Sequence, residues 1–200
     1  VYDYATVDET KLDTNQFNWG YDPKNYNSPE GSYSTDPYNG DVRVKEFKEM
    51  VKTLHDNDIS VVMDVVYNHT YSTDYCYNKL VPDYFYRPGS NGSGCGNDVA
   101  SERAMVRNFI VDSVAYWAKE YHIDGFRFDL VGLIDVQTIK EIRAALDEID
   151  PSIIIYGEGW SMTTTTTKEG TALSTQTNAV NLGNFGMFND TIRDAIKGSV

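Results

Sequence analysis

The sequence predicts an α/β fold built around a parallel sheet. Three observations lead to this class: apolar runs that are typical of buried strands, amphipathic helical segments between those runs, and a regular alternation of the two along the 200 residues. Alternating strands and helices make successive strands parallel, because each helix crosses back over the sheet before the next strand begins. The length suffices for one domain with a substantial core.

The strands are predicted from runs rich in β-branched residues. The first is ISVVMDVVY at 59–67, the second covers 123–131 and the third covers 153–157. A weaker fourth strand is expected near 184–188. Because the runs are almost continuously apolar, we expect these strands to be buried on both faces.

Three amphipathic segments are predicted to form the helices. Residues 43–56, 102–121 and 136–149 each place their apolar side chains on one stripe of a helix. We expect Ser101 to cap the N-terminus of the second helix and Asp135 that of the third, since short polar side chains accept hydrogen bonds from the first free backbone N–H groups.

The loops predict where the functional face lies. Those entering strands are short, whereas long segments follow the first strand (68–100) and the third, where the run TTTTT occupies 163–167. Elaborate loops at the C-terminal ends of parallel strands mark the functional face of a (β/α)8 barrel, and an open doubly wound sheet binds its ligand on the same side. Three clear strands do not close an eight-stranded barrel, so we expect the middle part of a longer protein.

Composition excludes some classes of partner. The net charge of −13 repels phosphate backbones, which argues against nucleic acid. No apolar run approaches the roughly 18 residues of a membrane helix, and no targeting signal is visible, so we expect a soluble protein, either secreted or cytoplasmic. The chain has 15 Tyr, 8 Phe and 3 Trp, many of them in polar, turn-rich stretches. Such side chains suit a sugar ligand, although ordinary aromatic packing under long loops would give the same composition.

Cys76 and Cys95 lie in one region rich in Gly, Asn and Ser. A disulfide between them and two free thiols are both compatible with the sequence. No cluster of Cys and His accompanies them, so the sequence predicts no zinc or other metal site.

Two charged residues, Arg127 and Asp129, lie between the apolar residues of the stretch GFRFDL at 125–130. Side chains alternate along a strand, so Arg127 and Asp129 share one face while Phe126 and Phe128 share the other. In a barrel the charged face would point inward, where charges must be paired. A purely structural Arg–Asp ion pair is one interpretation.

Glu158, at the end of the third strand, suggests a second interpretation. Neighbouring parallel strands lie about 4.8 Å apart, so Asp129 and Glu158 can approach each other, and retaining glycosidases use two carboxyl groups about 5–5.5 Å apart. We expect Arg127 to lower the pKa of Asp129, the nucleophile. Glu158 has no cationic partner in the sequence, so we expect it to stay protonated as the general acid.

The first strand ends with further polar residues. Asn68 and His69 would stand at the same rim of the sheet as hydrogen-bond donors for a bound sugar, although a lone histidine is ordinarily structural. Asp64 lies earlier in the same strand, so we expect it to be deeper and structural.

Several motifs together resemble the α-amylase superfamily, glycoside hydrolase family 13. Three of them match three of its four signature regions, and the others resemble its type I pullulanase and debranching branch. The motifs are DVVYNH (64–69), GFRFDLVG (125–132), YGEGW (156–160), NWGYDPKNY (18–26), ASERAM (100–105) and FNDTIRDAIKGSV (188–200).

The resemblance implies a catalytic (β/α)8 barrel, of which the chain holds roughly the end of strand 2 to about strand 6. Residues 1–200 would form one partial catalytic domain, with residues 68–100 as a long loop insertion after the third barrel strand. The implied reaction is retaining hydrolysis of α-1,6-glucosidic linkages in pullulan and branched starch. The fourth signature region, which carries a third carboxylate, is not in the sequence, so we expect residues 1–200 alone to be inactive.

The resemblance also implies roles for individual residues. Asp129 matches the nucleophile, Glu158 the acid/base and Arg127 the residue that positions the nucleophile. His69 and Tyr21 match contacts to the sugar at the cleavage point. In addition, Trp160 resembles a contact in a neighbouring subsite.

Two other functions remain open at this stage. One is another superfamily hydrolase with α-1,4 or mixed specificity, and the other is a non-catalytic barrel that only binds glucan. The implied partner in every case is an α-glucan. No cofactor is required, and a structural calcium ion is compatible with the sequence but not indicated by it.

Overall fold

The structure is a computed structural model that describes residues 2–198. The last two residues of the 188–200 motif therefore lie outside the described residues. Strands and helices alternate along most of the chain. The strands are β1 (Tyr2–Tyr4), β2 (Pro23–Pro29), β3 (Val62–Val65), β4 (Gly125–Phe128), β5 (Ile154–Gly157) and β6 (Gly186–Met187), and the helices are α1 (Gly40–His55), α2 (Cys76–Leu80), α3 (Ala104–Tyr121), α4 (Val136–Asp147) and α5 (Asp190–Lys197).

The four later strands form one parallel sheet in the order β3-β4-β5-β6. Helix α3 connects β3 to β4, and α4 connects β4 to β5, so each predicted crossover is present. The predicted α/β class, the parallel sheet and the weak fourth strand are therefore confirmed.

The strands are half-buried, which corrects the prediction that both of their faces are buried. In β3, Met63 and Val65 are 2% and 0% exposed, whereas Val62 is 39% exposed. In β5, Ile155 is 4% exposed and Ile154 is 54% exposed. The physical reason is the two-residue alternation of a strand, since one face packs into the core while the other is the face that carries Arg127.

The core lies between the sheet and the long helices. Its largest members include Trp117 and Tyr121 of α3, and Phe126 and Phe128 of β4, all at most 1% exposed. Helix α3 packs against both α1 and α4. These contacts fix β4 in place and with it the charged side chains on its other face.

One predicted helix cap is confirmed and the other is wrong. Asp135 caps α4 by accepting a hydrogen bond of 3.1 Å from the backbone N–H of Thr138. Helix α3 instead begins after Arg103, which makes no side-chain capping bond. Ser101 is fully buried, and its hydroxyl accepts a hydrogen bond from the backbone N–H of Asp135 at 2.9 Å, so it braces the loop before α4 instead.

A small antiparallel sheet of β1 and β2 was not predicted. Its anchor is Tyr26 of β2, which is 1% exposed and donates a hydrogen bond of 2.6 Å to the backbone carbonyl of His69. The indole N–H of Trp117 donates to the carbonyl of Tyr26 at 3.0 Å. This hairpin therefore connects the loop after β3 to the core and carries Tyr21 close to the end of the large sheet.

Of the helices within residues 2–198, none has the length and apolar character needed to cross a membrane.

Candidate active site

Arg127 is the centre of a cluster of charges at the C-terminal end of the parallel sheet. One of its terminal nitrogens contacts Asp64 at 2.8 Å and Asp129 at 3.2 Å. The other contacts Glu158 at 2.8 Å. One guanidinium thus holds three carboxylates, and the cluster carries a net negative charge when all of them are ionised.

The parallel register explains why these side chains meet. Asp64 of β3 is aligned with Arg127 of β4, so the two lie side by side on one face. Asp129 and Glu158 each follow the last residue of their strand, where the N–H of Asp129 donates to Val65 at 2.9 Å and that of Glu158 donates to Phe128 at 3.1 Å. The sheet therefore delivers both carboxylates to the same edge.

The pKa of Asp129 confirms one part of the expectation and corrects another: Arg127 lowers it as predicted, but burial has the larger effect. Burial raises it to about 6, against the opposing effects of the Asn68 hydrogen bond and the Arg127 charge. The sequence predicted a lowered pKa because it shows the adjacent arginine but not the burial: the Asp129 side chain is only 12% exposed. Its pKa nevertheless leaves Asp129 ionised at neutral pH.

The surroundings of Glu158 correct a second expectation. The sequence shows no cationic partner for it, yet the structure pairs it with Arg127 at 2.8 Å. Its other oxygen accepts a hydrogen bond of 3.3 Å from the backbone N–H of Leu130. The partner was missed because it lies on the neighbouring strand. Burial lowers the pKa of Arg127, but its carboxylate partners outweigh that effect and raise it above its ordinary value.

Close backbone packing holds the two carboxylate loops together. The N–H of Gly132 donates to the carbonyl of Glu158 at 3.1 Å, and a Cβ on Gly132 would come within 2.0 Å of the carbonyl oxygen of Trp160. A Cβ on Gly157 would lie 2.5 Å from the carbonyl oxygen of Phe128. The glycine before Glu158 therefore allows close contact between β5 and β4.

The side-chain N–H groups of Asn68 bind Asp129 and are not left for a sugar, contrary to the sequence prediction. It is fully buried, and its amide nitrogen donates to the backbone carbonyl and to a carboxylate oxygen of Asp129, both at 2.9 Å. Its amide oxygen lies 2.6 Å from Nδ1 of His69. Asn68 thus fixes the orientation of the Asp129 carboxylate.

His69 is held between two oxygen atoms. Nδ1 faces the amide oxygen of Asn68, and Nε2 lies 2.9 Å from the backbone carbonyl of Tyr21. Burial lowers the pKa of His69 below its ordinary value. The ring lines a cleft together with Tyr21 and is 2% exposed.

Asp64 was expected to be structural but belongs to the site. Its side chain is 41% exposed. One carboxylate oxygen binds Arg127, and the other accepts a hydrogen bond of 2.9 Å from the hydroxyl of Tyr21. The signal was available in the sequence: Asp64 is the one charged residue in the apolar run 59–67, and a charge in such a strand needs a partner.

Two clefts lie beside the carboxylates. The first, of about 240 Å³, is lined by Trp19, Tyr21, His69 and Cys95 among others. The second, of about 460 Å³, includes Trp160, which follows Glu158 by two residues. The structure thus brings Tyr21 and His69 together in one cleft and places Trp160 in another.

Both cysteines are free thiols, so Cys76 and Cys95 form no disulfide in this structure. Cys76 is exposed, and Cys95 lines the cleft that contains His69. Burial raises the pKa of the Cys95 thiol, which makes it a poor nucleophile at neutral pH.

Within residues 2–198, one group of carboxylates, Asp3, Glu9 and Glu30, is close enough to share a metal ion. Each of the three already has a protein partner: Glu9 pairs with Arg43, Glu30 accepts hydrogen bonds from backbone N–H groups, and Asp3 accepts one from the Asn25 side chain.

The charged cluster has the components of glycoside chemistry. Two carboxylates that contact one guanidinium can flank a scissile bond. The net negative charge suits a transition state that develops positive charge on a sugar ring, because fixed charges stabilise such a state without reorganisation.

Comparison with known proteins identifies close relatives, although no family model matches the sequence. The chain is 44% identical over 206 residues to the pullulanase of Bacillus subtilis strain 168, in an alignment covering 100% of this chain and 28% of that protein. It is 41% identical over 196 residues to the pullulanase of Klebsiella aerogenes, covering 92% of this chain and 17% of that protein.

Solved structures agree with the sequence comparison. The pullulanase of Paenibacillus barengoltzii in complex with maltohexaose and α-cyclodextrin matches with a TM-score of 0.95 at 52% identity, covering 100% of this chain and 32% of that chain. The type I pullulanase of Bacillus subtilis strain 168 in complex with maltose matches with a TM-score of 0.93 at 44% identity, covering 100% and 28%. The chain thus spans about a third or less of the length of each relative.

Proposed function

Because this chain is homologous over its whole length to a segment of the pullulanases, we propose that the protein hydrolyses α-1,6-glucosidic linkages in pullulan and branched α-glucans. The reaction proceeds with retention of configuration. The partner is an α-glucan chain, as the maltooligosaccharides bound to the solved relatives suggest for those proteins.

The fold proposed for the whole catalytic domain is a (β/α)8 barrel. The sheet β3-β4-β5-β6 supplies consecutive strands of it, with the chain extending roughly from the end of barrel strand 2 to about strand 6. The half-exposed face of β3 and β5 turns toward the barrel interior, and the 68–100 segment forms a long loop at the barrel mouth. Residues 1–200 are then part of one catalytic domain.

In the proposed reaction, the ionised carboxylate of Asp129 attacks the anomeric carbon of the glucose on the non-reducing side of the branch linkage. Glu158 donates a proton to the glycosidic oxygen, the C–O bond breaks, and a glycosyl-enzyme ester forms. Glu158, now ionised, takes a proton from water, which attacks the same carbon and releases Asp129. Arg127 and Asn68 hold Asp129 in its attacking orientation.

One observation carries this proposal: Asp129 and Glu158 contact a single guanidinium at the ends of neighbouring parallel strands. A barrel that only binds glucan does not require two carboxylates in contact with the same guanidinium. The proposed glycone contacts are Tyr21 and His69, which line the first cleft.

The proposal is tested by assaying the full-length protein on pullulan and on amylose, which contains only α-1,4 linkages. We expect maltotriose from pullulan and little product from amylose. Comparable rates on both polymers would favour an α-1,4 or mixed specificity. Binding of pullulan without any product would favour the non-catalytic alternative.

Substitution of the two carboxylates tests their roles. Asp129→Asn and Glu158→Gln should each lower kcat by several powers of ten, since each removes a covalent or proton-transfer step. Glu169 is an exposed glutamate later in the loop after Glu158. Glu169→Gln is therefore the matched control and should retain wild-type turnover. Near-normal turnover in either active-site variant would refute the assignment.

A further inference from the structure

The five threonines at 163–167, which we call the threonine run, have no role in the chemistry described so far. They lie in the loop after β5 and contact residues 88–98 of the long loop after β3, which we call the 88–98 loop. The hydroxyl of Thr164 donates to the carbonyl of Asn91 at 2.7 Å, and the N–H of Asn91 donates to the carbonyl of Thr164 at 3.1 Å. The loops after β3 and β5 are therefore joined directly, although these two residues are 73 positions apart.

Thr166 makes two further bonds to the 88–98 loop. Its hydroxyl donates to the carbonyl of Pro88 at 2.9 Å, and its N–H donates to the hydroxyl oxygen of Ser90 at 2.9 Å. Thr165, between the two anchored threonines, packs so closely on Gly92 that a Cβ there would collide with its hydroxyl. Polar low-complexity segments commonly remain disordered, so this set of contacts indicates that the run has a structural task.

The buried carboxylate of Asp98 gives the 88–98 loop its shape. Asp98 is fully buried and accepts hydrogen bonds from the hydroxyl of Ser90, from the N–H of Gly92 at 2.7 Å and from the N–H of Ser93 at 2.8 Å. Ser90 connects Thr166 to this carboxylate, because its oxygen accepts from the Thr166 N–H while its own proton is donated to Asp98. The threonine run is therefore bonded to the group that organises the loop.

The last residues of this loop reach the proposed active site. Asn97 binds the backbone of Thr70 twice, donating to its carbonyl at 2.7 Å and accepting from its N–H at 3.1 Å. Thr70 directly follows His69, and Cys95 lines the first cleft together with His69. Burial raises the pKa of the Cys95 thiol and the charge of Asp129 raises it further, so Cys95 also lies near the proposed nucleophile. The loop is thus one wall of the first cleft.

From these contacts we infer that Thr164 and Thr166 are positioning residues: their hydroxyl groups hold the 88–98 loop in place and so keep this wall of the first cleft in the position that binds an α-glucan. They act through the loop and take no part in bond breaking. The inference rests on the proposed function, which supplies the α-glucan. Both residues are exposed, so they can be replaced without disturbing the core.

The threonine run contains its own controls. Within residues 2–198, the side chains of Thr163 and Thr167 have no hydrogen-bond partner, whereas Thr164 and Thr166 each donate one bond. The test variant combines Thr164→Val with Thr166→Val, which removes both hydroxyls and nearly keeps their shape. The matched control combines Thr163→Val with Thr167→Val. A rescue variant, Thr164→Ser with Thr166→Ser, keeps both hydroxyls and should behave as wild type. All are made in the full-length protein.

The first readout is the rate at which N-ethylmaleimide modifies Cys95 at mildly alkaline pH, followed by peptide mass spectrometry. We expect the test variant to raise this rate about five- to tenfold, because the loss of two hydrogen bonds lets the loop leave its place more often. The exposed Cys76 in the same protein is the internal reference, and its rate should not change. This readout does not depend on catalysis.

The second readout is the affinity for glucan. In the test variant KM for pullulan should rise about two- to fivefold, because the apparent affinity falls with the fraction of molecules whose loop is in place. The value of kcat should change less, since the bond-breaking groups are untouched. The concentration of maltotriose that protects Cys95 from modification should rise by the same factor, which measures affinity without turnover.

The outcomes separate this inference from the proposed function. If the protein cleaves pullulan but the test variant keeps the wild-type rate of Cys95 modification or the wild-type KM, the inference is overturned and the function stands. If no pullulan is cleaved, the function fails, and faster modification of Cys95 with weaker protection by maltotriose still supports the inference. Equal effects in the matched control would show a general disturbance of the loop after β5 and would overturn the inference.

Discussion

At the scale of single residues, the site is governed by competition between burial and charge. Burial raises the pKa of Asp129, while Arg127 and Asn68 act in the opposite direction. Arg127 cannot serve Asp129 alone, because it also contacts Asp64 and Glu158. The outcome is a carboxylate that is ionised at neutral pH but titrates close to it, a property common among active-site groups.

This pKa predicts an acid limit for the reaction. Since the nucleophile must be ionised, kcat/KM for pullulan should fall about tenfold per pH unit below a pH of about 6, the pKa of Asp129. The measurement is kcat/KM of the full-length protein between pH 4 and pH 8. A profile that stays flat down to pH 4.5 would contradict the pKa, the role of Asp129, or both.

The same pKa also predicts how stability varies with pH. The folded-state value of about 6 lies above the ordinary 3.8, so between these values the folded protein binds more protons than the unfolded one. The contribution of Asp129 to the free energy of unfolding therefore falls as pH rises through this window. Asp129→Asn removes this dependence. The difference in free energy of unfolding between variant and wild type should therefore shift in favour of the variant by roughly 2–3 kcal/mol on going from pH 4 to pH 7.5.

Urea denaturation of both full-length proteins at the two pH values gives this difference directly. Asp129→Asn loses the same hydrogen bonds at both pH values, so their effect on stability cancels when the two stability differences are compared. A stability difference that does not change with pH would show that the Asp129 carboxylate titrates as it does in water.

At the scale of secondary-structure elements, the two carboxylates are aligned by the close contact of the loops after β4 and β5. Leu130 has a left-handed conformation, with φ of 41°, directly after Asp129. Such a conformation is strained for a residue with a side chain and persists only where the surroundings impose it. The hydrogen bonds from Leu130 and Gly132 to Glu158 are part of those surroundings.

Gly132→Ala should disrupt this alignment. Its Cβ would come within 2.0 Å of the carbonyl oxygen of Trp160, a backbone atom that cannot rotate away. We expect a loss of about 1–3 kcal/mol in the free energy of unfolding, together with a drop in kcat, because the Glu158 loop must move. Thermal melting and turnover on pullulan measure the two effects.

The matched control for this prediction is Gly40→Ala. A Cβ on Gly40 meets nothing within 4 Å, and the residue begins helix α1. Alanine there should leave the melting temperature unchanged or raise it, since alanine favours a helix more than glycine does. Equal behaviour of the two variants would show that the loop contact does not constrain the site.

The sequence predicted the features that depend on the local pattern of one strand, and it missed the contacts that form between neighbouring strands. The alternation in β4 correctly separated Arg127 and Asp129 from Phe126 and Phe128. The sequence could not show that Arg127 also reaches Glu158, since that contact joins residues 31 positions apart on different strands. The β1–β2 hairpin was missed because β1 has three residues and pairs with irregular register.

At the scale of the whole molecule, the sheet has two outer strands, β3 and β6, and one half-exposed face. Large apolar side chains remain exposed there and on α5: Val62 at 39%, Ile154 at 54% and Ile196 at 83%. In the proposed barrel, further strands and helices would cover these groups. Unpaired strand edges and exposed apolar side chains favour association between chains.

A polypeptide consisting of residues 1–200 alone should therefore aggregate or remain inactive. Size-exclusion chromatography and a pullulan assay of that polypeptide measure both properties, with the full-length protein as the reference. A soluble monomer that releases maltotriose would refute this prediction. It would also show that the charged cluster around Arg127 is sufficient for the reaction.

The central claim is that Asp129 forms a covalent bond to the sugar. The most direct measurement is to trap this intermediate in the full-length protein with a fluorinated glucosyl fluoride, which forms the glycosyl-enzyme ester but slows its hydrolysis, and to locate the added mass by peptide mass spectrometry. We predict one added sugar on the peptide that contains Asp129, and none in Asp129→Asn. A sugar attached to another residue, or an enzyme that cleaves pullulan without forming an ester at Asp129, would contradict the account.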